Sequence, residues 1–427
     1  MGRIVNRPRF SRRQTIGVLY GLLGVVLVGY VAGNIDAADK GLTFDAPPDP
    51  LKLVVDPPIT VTTIGTIFVL TAVATFFERR WPRVASGALV LSTVLLVPLV
   101  IVLSLALSAA NETNVMQLLV QSLALGTPIA LGAMSGLWCE RAGVVNIGIE
   151  GMMLASASTG FLTYAVVGDG RDTSVLWLAV AVAILTGGLV ALLPALLSVT
   201  YRVDQIISGV VINLLALGLT GFLRSEVIID TGVATGIPTP TIALPLLSDL
   251  PIVGDQIFTA QPIFFVTFAV VGITGVVLWH TRFGLRIRSV GEHPHAAETL
   301  GIDPILVRYR AVVIGGLIAG LAGAWFSLES QAGFEDNMTS GTGFIALAAL
   351  IFGKWRPWSA FAGAVLFGFT RALGARLQFL GVTIGDFSIP SEFLQALPYI
   401  VTIVVVAGAV GRAVAPAADG IPYERSR

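Results

Sequence analysis

The sequence predicts an all-α integral membrane protein: a polytopic bundle of about ten to twelve transmembrane helices, some of them broken, with a short cytoplasmic helix set between two spans. Three observations carry this. The 427 residues are 55% hydrophobic and 12% charged, whereas soluble domains carry about 25% charged residues. Apolar runs long enough to cross a bilayer recur from end to end. Arginine and lysine gather in alternate intervals between those runs. Net charge is zero, so the whole-chain charge says nothing about nucleic acid, and no nucleic-acid partner is expected. Cys139 is the single cysteine, so neither an intrachain disulfide nor a cysteine-based metal site is expected.

Taken in order, the runs lie near 15–33, 59–77, 84–108, 116–137, 151–167, 174–199, 206–223, 262–281, 310–328, 358–377 and 397–411, with a shorter one at Gly343–Gly353 that reads as a half-span. Arg3, Arg7, Arg9, Arg12 and Arg13 precede the first run. It reads as a retained span, although Val-Ala-Gly-Asn near Gly33 resembles a small-residue cleavage site. Start inside and alternate. Arg79, Arg80, Arg83, Arg202, the arginines of 282–310, Lys354, Arg356 and Arg412 then fall inside, and Lys40, Lys52, Arg171, Arg224, Arg371 and Arg376 fall outside or near that face. Positive loops stay cytoplasmic, so both termini are expected there. The outside segments 34–58 and 224–261 are rich in Pro, Asp and Thr and read as ordered loops. Residues 1–110 read as an N-terminal addition, 111–415 as the main body and 416–427 as a cytoplasmic tail.

The interval Arg282–Arg310 is polar, with five arginines and no lysine. Within it a helix of about two turns is expected at Pro294–Leu300. Pro294 suits a first turn, where its missing N–H costs nothing. Ala296, Ala297, Glu298 and Leu300 are good helix formers. Gly301 can take the left-handed stop, and Asp303-Pro304 caps and starts the next span. Gly291 and Gly301 bracket the helix and permit sharp reversals. Ala296 and Ala297 would let a partner approach closely, and Glu292 and Glu298 beside them could meet basic groups. In the following span Gly316-Leu-Ile-Ala-Gly320 and the overlapping Ala319-to-Gly323 spacing put small residues on one face, which favours close helix packing.

Three constellations bear on function. Gly136–Gly151 holds four glycines with Glu140, Arg141, Asn146 and Glu150, so one regular span should break there. Broken backbone at membrane depth is tolerated where it is buried in protein or lines a wet cavity, and ionisable groups there are functional candidates. Asn146 and Glu150 are the candidates and Arg141 an inside anchor. The other reading is a cytoplasmic turn with Glu140 and Arg141 paired at the surface. Glu329–Ile345 is polar with rings at Phe334 and Phe344, so Glu329, Phe334, Asn337 and Phe344 could form an outer rim for a polar ligand with an aromatic face, or an exposed loop. Asn213, within an apolar run, either bonds a neighbouring helix or faces a pathway.

His293 and His295 are two apart and not a helical metal pair, so no metal is expected. Neither a Ser/His/Asp set nor a G-x-x-x-x-G-K-[ST] loop occurs, since Gly353-Lys354 is followed by Trp355. No catalytic site is expected, nor any cofactor in this chain. ATP, if used, is bound by another subunit.

Glu140–Met153, Val290–Ile302 and Asn337–Pro357 together resemble the ordered blocks of bacterial ABC-importer permeases for nucleosides and simple sugars, related to ribose and branched-chain amino-acid permeases. The resemblance covers about 115–412, and the wording Asn-Ile-Gly-Ile-Glu-Gly and Gly-Phe-Ile-Ala-Leu-Ala is nearer the nucleoside branch. It implies a multi-pass protein of the bacterial inner membrane. It implies as partners a second, homologous permease, a cytoplasmic ABC ATPase and an extracytoplasmic binding protein, often a lipoprotein. It also implies that Gly291, Glu292, His293, Pro294, Ala296, Ala297, Glu298 and Gly301 belong to the ATPase-coupling segment, and that solute passes beside Asn146 and Glu150. A rival from another class is an ion-coupled secondary transporter, for which Glu150 is the one good relay candidate.

Overall fold

The computed structural model describes residues 11–35, 38–44, 51–107, 110–251, 253–380, 383–384, 387–388, 390–396 and 413–425. The run expected at 397–411 lies outside them, as do Arg3, Arg7, Arg9 and Arg412. Among the described residues ten helices are long and apolar enough to cross a membrane, and they coincide with the first ten predicted runs. The chain divides into two compact units, 1–119 with 373–409 and 120–372 with 410–427.

The first unit holds α1 (Arg12–Asn34), α2 (Pro57–Phe76) and α3 (Pro82–Ala106). Each start follows from local chemistry. Ser11 and Gln14 form a reciprocal capping box for α1, the Asp56 carboxylate accepts from Ile59 N ahead of Pro57, and Pro82 occupies the first turn of α3. Small residues set the distance between α1 and α2. A Cβ on Gly24 would lie 2.4 Å from the Gly65 carbonyl oxygen, so the two backbones touch there. Thr71 and Ser92 share a 2.7 Å hydrogen bond between α2 and α3. The segment expected as an ordered loop contains a small sheet instead. Strand β1 (Lys40–Thr43) pairs antiparallel with β2 (Lys52–Val55) and parallel with β3 (Glu112–Asn114).

The second unit is built on α4 (Val115–Arg141), α5 (Ile149–Gly168), α6 (Thr173–Thr200), α7 (Gln205–Thr231), α8 (Pro262–His280), α9 (Arg282–Glu292), α10 (Pro294–Thr299), α11 (Pro304–Ser330), α12 (Thr342–Phe352) and α13 (Pro357–Leu380). Asp172 and Asp204 cap α6 and α7. The small-residue face expected on α11 is its packing face. A Cβ on Gly187 of α6 would stand 2.3 Å from the Gly316 carbonyl oxygen, and one on Gly323 would stand 2.4 Å from that of Met153 on α5. Ala319 is fully buried. The predicted break between α4 and α5 falls at 142–148.

The polar interval contains one helix more than expected. Alongside α10, residues 282–292 form the amphipathic α9, started by the Thr281 hydroxyl on Gly284 N. Phe283, Ile287 and Val290, at i, i+4 and i+7, turn into a core of Met134, Leu137 and Trp138 from α4, Val307 from α11 and Leu350 from α12. The arginines between them had marked the stretch as loop, because charge masked the period.

Candidate functional site

α12 has eleven residues and is about 16 Å long at 1.5 Å per residue. That is half the hydrocarbon core of a bilayer. Its first N–H groups lack helical partners, and at such depth unpaired N–H groups are costly. The Glu150 side chain, one residue into α5, meets them. Its Oε1 accepts from Gly341 N at 2.7 Å and from the Thr339 hydroxyl at 2.6 Å, and its Oε2 accepts from Gly343 N at 2.5 Å. Gly343 is required by the approach, since a Cβ there would lie 2.7 Å from Glu150 N. Glu150 is therefore the anionic cap of the half-span. The far end of α12 leads to Trp355, whose carbonyl accepts from Arg141 Nε and Nη2 at 3.1 and 2.7 Å. Glu140 is buried and accepts from the Trp355 indole N–H. The surface pairing of Glu140 with Arg141 weighed from the sequence does not occur, because each side chain engages Trp355 instead.

Glu329 plays the same role at the opposite end. It is buried, and it accepts from Ile263 N at 2.8 Å and Phe264 N at 3.2 Å, capping α8, and from the Thr239 hydroxyl at 3.3 Å. The sequence offered it as a rim residue; its carboxylate is consumed by a helix start. Phe334 is likewise interior, grouped with Met338 and Ile228 in one core. Asn337 takes a left-handed turn conformation, φ 54°, and Phe344 is 47% exposed. Beside this segment an open pocket of about 370 Å³ is lined by Arg224, Val233, Thr235, Gln331, Phe334 and Glu335, among others. Arg224 is held by Asp336 at 3.2 Å.

Asn146 is buried against sulfur. Its Nδ2 lies 3.4 Å from Cys139 Sγ and 3.8 Å from Met152 Sδ, while its Oδ1 has no protein partner. It faces the interior of the unit. Asn213 donates to the Ile147 carbonyl at 3.0 Å and accepts from Gly151 N at 2.8 Å. Both ends of its amide thus fasten α7 to the start of α5.

At the end bearing α9 and α10, the expected punctuation is present. His293 Nδ1 accepts from Ala296 N at 3.1 Å as the cap of α10, with Pro294 in its first turn. Gly301 has φ 77°, and Asp303 caps α11. The expectation that Ala297 faces a partner is overturned. It is 2% exposed, in the core with Ile287 and Trp138. Ala296 is exposed, and Leu300 is 81% exposed at the tip. A six-residue helix has one inward face, and the hydrophobic core claims it. Gly291 lies so near α4 that a Cβ would meet the Arg141 carbonyl oxygen at 2.2 Å. Glu292 is not free for a partner, since its Oε2 accepts from Ala417 N at 3.2 Å.

The tail is part of this site, which the sequence reading missed. Ala418 N donates to the Gly291 carbonyl at 2.8 Å. Arg308, 1% exposed, donates to the carbonyls of Ala142 at 3.2 Å and Ile421 at 3.1 Å. Asp419 faces it, and burial pushes that carboxyl up to about 7 despite the opposing pull of Arg308 and a hydrogen bond from Gly420 N. An arginine one turn into a span was the available signal, since a buried guanidinium needs carbonyl or carboxylate partners.

Residues 118–407 match the family described as branched-chain amino acid transport system, permease component. The chain is 40% identical over 311 residues to the guanosine ABC transporter permease NupQ of Bacillus subtilis, covering 72% of this chain and 96% of that protein. It is 36% identical over 320 residues to the nucleoside ABC transporter permease NupC of Lactococcus lactis, covering 74% and 100%. It is also 36% identical over 302 residues to TsgC13 of Haloferax volcanii, named as a putative glucose ABC transporter permease, covering 67% and 89%. With ten apolar spans among the described residues, a broken α4–α5 connection and a capped half-span, the chain belongs to this permease-component family and is a multi-pass transporter subunit, not an enzyme.

Proposed function

We propose that this chain is one half of a nucleoside importer, paired with a second, homologous permease, driven by a cytoplasmic ATPase that binds ATP, and fed by an extracytoplasmic binding protein. The α9–α10 end faces the cytoplasm in this reading, as the arginine-rich interval requires, and both termini lie on that side of a bacterial inner membrane. The observation that carries the ATPase assignment is the two-faced character of α10. Leu300 is 81% exposed at its tip while Ala297 sits 2% exposed in a core shared with α4, α11 and α12. A push on such a helix is transmitted to the packed interior. Through α12 it reaches the Glu150 cap, where the broken backbone of 142–148 adjoins. Coupling of this kind requires contacts that differ between two states. Solute is admitted at the opposite end, beside the pocket at Arg224 and Phe334.

The nucleoside assignment is supported by relatives named for guanosine and nucleoside transport that match over nearly their full length. The aromatic argument from the sequence is weaker, since only Phe344 of the two rings is exposed. Two experiments test the reading. Leu300→Asp should release the ATPase from the purified complex while leaving membrane insertion intact; full retention would reject α10 as the contact. Uptake of labelled guanosine should be displaced by other nucleosides and not by ribose or glucose. Equal displacement by the sugars would reject the substrate class.

A further inference from the structure

We propose that the C-terminal segment Pro416–Arg425 is a strap that positions α10 and transmits its movement to α11 and the 142–148 turn. This rests on the reading of α10 as the ATPase contact and adds to it the element that makes the contact productive. Terminal segments are usually poorly ordered unless they are tied down. This one is tied at points far apart in sequence. Ala418 N bonds the Gly291 carbonyl at 2.8 Å, just before α10. Tyr423 is buried, its ring 5.1 Å from that of His295 on α10, with its hydroxyl beside Glu298. Beyond α10, Arg425 pairs with Asp303, the cap of α11, at 2.7 Å. Arg308 of α11 joins the Ile421 carbonyl of the strap to the Ala142 carbonyl at the α4–α5 break. Glu424 reaches Arg202, before α7, at 2.5 Å.

The strap therefore bridges the elements that α10 must move. The short helix itself has only one buried face and is marginal alone. A covering, inhibitory role is disfavoured by geometry, because Leu300 stays 81% exposed with the strap in place. The strap supports α10 and leaves its tip open. The single side chain on which this turns is Tyr423, which supplies bulk between α10 and the tail. Ion pairs such as Arg425 with Asp303 and Glu424 with Arg202 are exposed and individually weak.

The test uses the assembled transporter in liposomes, with both permeases, the ATPase and the binding protein. A chain ending at residue 412 and the variant Tyr423→Ala are compared with wild type for ATPase retention, hydrolysis rate and guanosine uptake. The expected result is that ATPase is retained and hydrolysis continues, while uptake per ATP falls about fivefold or more. Tyr423→Phe, which keeps the ring, should restore uptake per ATP. Tyr423→Ala carries the test if the shortened chain does not assemble. Unchanged uptake per ATP in Tyr423→Ala overturns the proposal. So does loss of the ATPase from that variant, which would make the tail a docking surface and not a positioning element. Failure of the underlying reading shows separately, as ATPase retained by Leu300→Asp.

Discussion

Replacing Glu150 by glutamine tests whether this buried acid is a helix cap or a pathway ligand. The carboxylate accepts three hydrogen bonds, two on Oε1 and one on Oε2. An amide keeps one acceptor oxygen. If that oxygen stays with Gly341 N and the Thr339 hydroxyl, the NH₂ group confronts Gly343 N, donor against donor. One charge-assisted bond worth about 1.5–3 kcal/mol is lost, and a buried N–H is left unpaired. With about 1–3 kcal/mol for the unpaired N–H, the sum is a destabilisation of about 2.5–6 kcal/mol. Glu150→Ala should cost more, because all three donors lose their acceptor. The assay is SDS-induced unfolding of the purified subunit in mixed micelles, with assembly and uptake measured on the same preparations. A ligand lining a path would behave otherwise: Glu150→Gln would lower uptake and leave stability unchanged. Wild-type unfolding by the glutamine variant would therefore refute the cap, whatever happens to transport.

Helix contact gives a second prediction. Gly187→Leu should prevent α6 from meeting α11 and abolish accumulation of folded protein, because even a Cβ there would lie 2.3 Å from a backbone oxygen. Gly29→Ala, with nothing within 4 Å, should be neutral, and equal expression of the two variants would contradict the packing. The third concerns pH. Asp419 is faced by Arg308 from α11 and Glu140 from α4, and its carboxyl is raised from 3.8 to about 7. The folded state thus holds a proton that the unfolded chain has released. The stabilisation is complete below about pH 4 and is lost as pH rises through about 7. Protease protection of the tail should fall between about pH 4 and pH 7 in wild type and stay flat in Asp419→Asn; identical profiles would remove Asp419 from the linkage. Last, Glu329→Gln should lower stability by about 1–3 kcal/mol through loss of one bond at the start of α8, measured by the same unfolding curves.

Much of the candidate site was visible in the chain as residue types, and its roles were not. Asn146, Glu150, Asn213 and Glu329 stood out because polar groups among apolar runs need partners. Whether a partner is a solute or a neighbouring backbone depends on what the fold brings alongside. In these cases the described neighbours are helix N–H groups, backbone carbonyls and sulfur. Phe334 and Phe344, ten residues apart, looked equivalent as rings, yet one is interior and the other half-exposed. α9 was hidden because its three arginines and Glu292 offset its four apolar residues in any average over the stretch.

The sequence by itself determined the spans, because twenty apolar residues in a row have one inexpensive fate in a bilayer. It also determined helix starts, since Ser11, Asp56, Asp172, Asp204 and Asp303 accept from N–H groups two or three residues away, and prolines follow two of them. The glycine face of α11 was legible for the same reason, as a spacing within one helix. Only the tertiary structure decided that Glu150 caps α12 across 193 residues of chain, that Ala297 is core and not contact, and that the tail returns to α10 and Arg308. Those facts depend on contacts between distant segments. Local pattern carries no information about which distant group will fill an acceptor's second lone pair or a short helix's single buried face.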